Sequence, residues 1–189
     1  MLTHGNLKLS KCIAGFGISA GVTGSCPQSC ERCYALKLEN LRPHVKLARA
    51  RNFALAQSPW FAQLMCKEIA LSKVPIKYVR VHEGGEFFNK EYVNSWHYIA
   101  VANPKITFYA YTCLPDEKYN VGMLKSLKNF VLINSIMQDG KKNYGKLADL
   151  EKRGYIGNLC RAKNGECGKS CRFCMTKIAQ NFPPVFEMH

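Results

Sequence analysis

The stretch 75-PIKYVRVHEGGEFF-88 decides how this chain is read. Its first eight residues are rich in Val, Ile and Tyr, the composition of a strand. The run then stops at Gly84-Gly85, followed by the carboxylate of Glu86. Glycines at a strand end let backbone approach a ligand closely and adopt angles other residues resist. Glu86 is then placed to accept from an ammonium or a hydroxyl.

The pattern outward from this strand alternates. Upstream, 43-PHVKLARARNFALAQS reads as a helix with Pro43 at its start. A second helix follows in 58-SPWFAQLMCKEIALS, with Phe61, Leu64, Met65 and Ile69 on one face. Downstream, 90-KEYVNSWHYIAVAN gives an amphipathic helix with Tyr92, Val93, Trp96, Ile99 and Ala100 together. Next come a strand at 106-ITFYAYT, a short helix at 122-GMLKSLKN and a strand at 130-FVLINSI. Residues 138–146 read as a loop, 146-KLADLEKRG as a short helix and 155-YIGNL as a further strand. A weaker strand around Ile13–Ile18 would begin the series.

Strands separated by helices argue for parallel pairing with right-handed crossovers, hence an α/β class. Eight βα units need about 250 residues, so 189 residues predict a partial (β/α) barrel of four to six parallel strands, or an open sheet. The expected division is a barrel-like part over 1–154 and a cysteine-rich metal-binding segment over 155–189, within one compact unit. Sites in such folds lie at the carboxyl ends of strands. Thr112–Cys113 and Asn134–Ser135 fall there, as do Gly84–Glu86.

The cysteines sharpen this. Seven of ten sit in two short segments, 26-CPQSCERC-33 and 160-CRAKNGECGKSCRFC-174. No run approaches the roughly 20 apolar residues of a membrane span, and no leader is recognised. The expectation is a cytoplasmic protein with reduced thiols. Cys12, Cys66 and Cys113 are apolar-flanked and read as buried free thiols. Cys26, Cys30 and Cys33 suit either an iron–sulfur cluster with an open iron or zinc completed by a distant ligand. Cys160, Cys167, Cys171 and Cys174 repeat the spacing with a fourth thiol added. They would close a second [4Fe-4S] cluster or a zinc site, the cluster being the reading adopted.

The net charge is +14. Residues 31–51 carry six Lys/Arg against two Glu, and 151–177 carry seven against two. Such runs serve a nucleic acid, offset metal–thiolate charge, or form a solvated surface. His4, His44, His97 and His189 show no partner in sequence, and His82 reads as either a strand residue or a neighbour of the site. Tyr109 and Tyr111 share one strand face. That face lines a cavity or packs, and packing is the reading adopted.

A C-x3-C-x2-C loop after one strand and Gly-Gly-Glu after the next resembles the radical S-adenosylmethionine superfamily. The resemblance implies that Cys26, Cys30 and Cys33 hold a [4Fe-4S] cluster. It implies that Gly84, Gly85 and Glu86 line the methionyl end of S-adenosylmethionine, with Asn134 or Ser135 near the ribose. Arg32 stands where that superfamily usually carries an aromatic near the adenine, and Tyr34 is the candidate substitute. A one-electron reductant of flavodoxin or ferredoxin type is implied, as is a 5′-deoxyadenosyl radical that abstracts hydrogen from a substrate.

The segments 33-CYA-35, 80-RVHEGGEFF-88, 91-EYVNSW-96 and 104-PKITFYAYT-112, with the cluster at 160–174, are more closely similar to the phage gene product 88 family. That likeness supplies no biochemical role. The alternative is a non-catalytic iron–sulfur or zinc module with a basic nucleic-acid-binding surface.

Overall fold

The computed structural model describes residues 1–5, 9–27, 33–155, 157, 159–160 and 166–187. Cys30, Arg32 and His189, singled out above, lie outside the described residues.

Five strands form one sheet in chain order: β1 (Thr3–His4), β2 (Ile13–Phe16), β3 (Tyr78–Val81), β4 (Thr107–Thr112) and β5 (Phe130–Asn134). β1 runs antiparallel to β2, and β2 to β5 are parallel. The expected α/β alternation with parallel strands is therefore present. A barrel is not: among the described residues the sheet is open, with β1 and β5 at its edges.

Register sorts the side chains. Ala14, Val79, Phe108 and Phe130 form one rung across β2 to β5, and Phe16, Val81, Ala110 and Leu132 form the next. All eight are fully buried. Parallel strands covered on both faces read as continuous apolar runs, as β5 does, whereas β3 alternates half-buried and buried positions and carries Arg80.

Helices α1 (Tyr34–Leu41), α2 (Pro43–Ala56), α3 (Phe61–Ala70) and α4 (Lys90–Ala102) come from the β2–β3 and β3–β4 connections. In α4, all five residues assigned to the inner face are buried. Its start is capped by Asn89, whose side-chain oxygen accepts from Tyr92 N at 2.8 Å. Trp96 meets the rings of Phe16, Phe61 and Phe108 edge-on at 5.4–6.2 Å between centroids. α2 packs through polar residues instead: only Arg49, Asn52 and Ala56 are buried.

Three expectations need correction. Leu64 is exposed, because in α3 the inward stripe is Phe61, Ala62, Met65 and Ile69. The helix expected at 122–129 is a 3-10 segment over Lys118–Ser126, broken by left-handed Tyr119 and Asn120. Tyr155, Gly157 and Leu159, the described residues of the strand expected at 155–159, form no strand, and Leu159 makes only an isolated bridge to Val185. The later elements are short: β6 (Tyr144–Gly145), α5 (Leu147–Lys152), α6 (Ile178–Asn181) and β7 (Phe186–Glu187), with β6 parallel to β7.

The cysteine-rich C-terminal segment covers the second face of the sheet. Met175 and Ala179 pack with Leu9, Ile13, Tyr109, Val131 and Ile133. Gln180 accepts from Leu132 N at 3.1 Å, and Lys177 Nζ donates to Phe130 O at 2.6 Å. These contacts satisfy the open edge of β5, which would otherwise present unpaired backbone groups.

Candidate functional site

Beyond the carboxyl ends of β3, β4 and β5 lies a cavity of about 490 Å³. Its lining includes Cys26, Cys33, Tyr34, Gly84, Gly85, Glu86 and Ser135 from the expected site, together with Cys160, Cys167, Cys171 and Cys174. Both cysteine segments thus reach one cavity, although 127 positions separate Cys33 from Cys160. Asn134 does not join them, and its side-chain oxygen accepts from Ile136 N at 2.8 Å. Tyr34 is exposed, and its hydroxyl donates to Glu83 O at 2.7 Å.

The cysteine loop is fastened to the Gly-Gly-Glu loop. Ser25 Oγ donates to Ser19 O at 2.8 Å and accepts from Glu86 N at 3.0 Å. Ile18 N donates to Gly84 O at 3.0 Å. The glycines, read above as room for a ligand, line the cavity, and the side a Cβ would occupy meets protein. A Cβ on Gly84 would stand 2.6 Å from the Arg49 guanidinium carbon. Gly85 has φ +92°, and a Cβ there would meet Ile18 and stand 2.6 Å from Ser25 Oγ. Gly85→Ala should therefore lower stability by about 2–3 kcal/mol, through left-handed strain and overpacking. The urea unfolding midpoint reads this, and an unchanged midpoint would refute the packing account.

Arg49 itself is buried, pairs with Glu39 at 2.9 Å and donates to Ala35 O at 3.1 Å. One cation of the 31–51 run is therefore structural rather than a surface for a polyanion.

Glu86 is buried at the cavity floor. Its Oε1 accepts from Phe87 N at 2.9 Å and from the Thr112 hydroxyl at 3.0 Å, and its Oε2 accepts from Cys113 N at 2.9 Å. A carboxylate has about four acceptor positions, so Oε2 retains one. Burial pushes its pKa up to about 7, against the pull of those three donors and of Lys142. His82, at the end of β3, has φ 65° and is bonded to the Tyr92 hydroxyl at 2.9 Å. Burial lowers its pKa to about 3, so it is neutral at physiological pH.

The sequence reading missed two features. Cys113, read above as a buried free thiol at the carboxyl end of a strand, lines the cavity with Lys142 Nζ 2.8 Å from its sulfur, a contact the sequence did not show. Tyr109 and Tyr111 do line the cavity, rather than serving packing alone.

Among the described residues no two cysteines are joined by a disulfide. Cys174 is pushed up to about 11, chiefly by burial and further by Cys160, Cys167 and Cys171 around it. A bound cation would relieve the repulsion that opposes ionisation of Cys174. Still, among the described residues no three His, Cys, Asp or Glu side chains stand close enough together to hold a metal ion.

A family model described as Gene product 88 matches residues 1–154. The chain belongs to the Gene product 88 family. It is similar to the Gene 88 protein of Mycobacterium phage L5, with 32% identity over 111 residues, covering 51% of this chain and 46% of the phage protein. The chain thus spans about half the length of the curated relative it matches. No solved structure matches. The Gene product 88 match contains Cys26–Cys33 and Gly84–Glu86 and ends before Cys160. Among the described residues no helix is long and apolar enough to cross a membrane.

Proposed function

We propose that this member of the Gene product 88 family is a radical S-adenosylmethionine-type iron–sulfur enzyme. The observation that carries this reading is the fastening of the Cys26 loop to Glu86 through Ser25, with Cys26, Cys33 and Gly84–Glu86 on one cavity. At about 490 Å³ that cavity is within the range that buries a cofactor-sized molecule.

In this reading Cys26, Cys30 and Cys33 are cluster ligands. The free acceptor position of Glu86 takes the methionyl ammonium, and Ser135 stands at the same strand-end rim. Tyr34 offers a ring at the cavity edge. Cys160, Cys167, Cys171 and Cys174 line the same cavity and would have to draw closer together to hold a second cluster or zinc. A [4Fe-4S] cluster held there would pass one electron, drawn from a flavodoxin- or ferredoxin-like donor, to S-adenosylmethionine, so that the sulfonium S–C5′ bond would break to methionine and a 5′-deoxyadenosyl radical able to take hydrogen from a substrate. The chain's own part is to bind, orient and exclude water. The β3–α4 loop and the C-terminal segment wall the cavity for that purpose.

The test is anaerobic reconstitution of the whole chain with iron and sulfide, then addition of S-adenosylmethionine and dithionite. Iron with acid-labile sulfide, and 5′-deoxyadenosine above the dithionite-free blank, are expected. A full cluster without 5′-deoxyadenosine would remove the enzymatic reading. Stoichiometric zinc without sulfide would place the chain with non-catalytic metal-binding modules.

A further inference from the structure

Arg80 stands on the cavity face of the sheet, in register with Gly15 of β2 and Tyr109 of β4. It lines the cavity with Tyr109 and Tyr111, and its guanidinium carbon lies 5.9 Å from the Tyr111 ring centre. Its Nε is buried without a hydrogen-bond partner, the residue as a whole being half-buried, and the Glu83 charge acts on it from beyond ion-pair distance. Among the described residues no carboxylate stands at ion-pair distance from it. Glu83 lies across Gly15 instead, within 3.4 Å of the Thr3 hydroxyl. Glu86 already accepts three hydrogen bonds at the cavity floor.

A guanidinium does not lose its proton in a protein. Where it is taken from water, as at Nε, it needs an anion or a further acceptor. The face of Tyr111 offsets only part of that cost. A second cation, Lys142, lines the same cavity. The cavity therefore combines fixed positive charge, aromatic walls and room.

We propose that Arg80 is an oxyanion-binding subsite, taking a carboxylate or phosphate group of the cavity's ligand between the rings of Tyr109 and Tyr111. The planar fork of a guanidinium matches both groups with paired hydrogen bonds. The subsite needs the cavity to be a ligand site and does not depend on the cofactor reading. It is tested without S-adenosylmethionine or reductant, so either idea can fail alone.

The whole chain, kept anaerobic, is titrated with sodium phosphate and separately with sodium acetate, with chloride holding ionic strength constant. Tyrosine difference absorbance and calorimetric heat are followed together. Saturable millimolar binding of at least one anion is expected. Phosphate alone would assign a phosphorylated ligand, and acetate alone a carboxylate. Arg80→Gln should weaken the constant about ten- to hundredfold. Arg80→Lys, which keeps the charge and loses the fork, should fall between. Unsaturable signals with both anions in the wild type overturn the proposal, as does an unchanged constant in a folded Arg80→Gln. Should Arg80→Gln not fold, a wild-type constant in Arg80→Lys overturns it.

Discussion

Replacing Glu86 with glutamine should weaken S-adenosylmethionine binding about ten- to hundredfold while leaving iron and sulfide content unchanged. A hydrogen bond to a charged group is worth about 1.5–3 kcal/mol, and glutamine would lose the charge that an ammonium seeks. The same substitution should alter how stability depends on pH. The Glu86 carboxyl ionises at about 7 in the folded chain, against an ordinary value of 4.5, because it is buried. Between those values the unfolded chain has lost this proton and the folded chain retains it. Folding therefore weakens as pH rises from 4.5 to 7, by about 3 kcal/mol from this group, and levels off above. A bound ammonium would favour the ionised form, so affinity should rise with pH across the same window. Equilibrium dialysis across pH and urea melts at pH 5, 6 and 7 measure both effects. Equal affinity in the variant, or an equal pH slope, would contradict the role given to Glu86.

How much of this was legible beforehand depended on range. Strand β5 was readable because it is an almost unbroken buried apolar run, and β3 and β4 because their Val, Phe and Tyr residues favour strands, although β3 carries Arg80 and alternates in burial. Helix α4 was readable because Tyr92, Val93, Trp96, Ile99 and Ala100 repeat at helical spacing and all face inward. Strands β1 and β7 have two residues each, too few for any periodicity. Helix α1 begins directly after Cys33, where the cysteine pattern claimed attention. The candidate site was half legible. The cysteines and Gly84–Glu86 announce themselves by local spacing. Ser25, Arg80 and the Cys113–Lys142 contact do not, since each depends on a partner from another element. The two glycines line the cavity, and packing requires them too, because Arg49, Ile18 and Ser25 occupy the space a Cβ would need.

Trp96→Ala should cost about 3–5 kcal/mol of folding stability. That is a large share of the roughly 5–15 kcal/mol typical of a domain. Trp96 is fully buried and among the largest side chains in the core. It joins β2 through Phe16, α3 through Phe61 and β4 through Phe108. Alanine would leave a void bounded by three rings on separate elements, and elements tied to the sheet cannot all move in to fill it. The effect should reach the site as well. Phe16 ends β2, from which the chain continues to Ser25 and Cys26, while α4 carries Tyr92, the partner of His82 beside the Glu86 loop. Leu64→Ala is the matched control: it lies on α3, is exposed, and should change stability by no more than about 0.5 kcal/mol. Urea melts of the two variants separate the alternatives. Comparable losses would mean that α3 presents Leu64 inward after all, whereas a loss confined to Trp96→Ala fixes the aromatic cluster as what holds α3 and α4 to the sheet beneath the cavity.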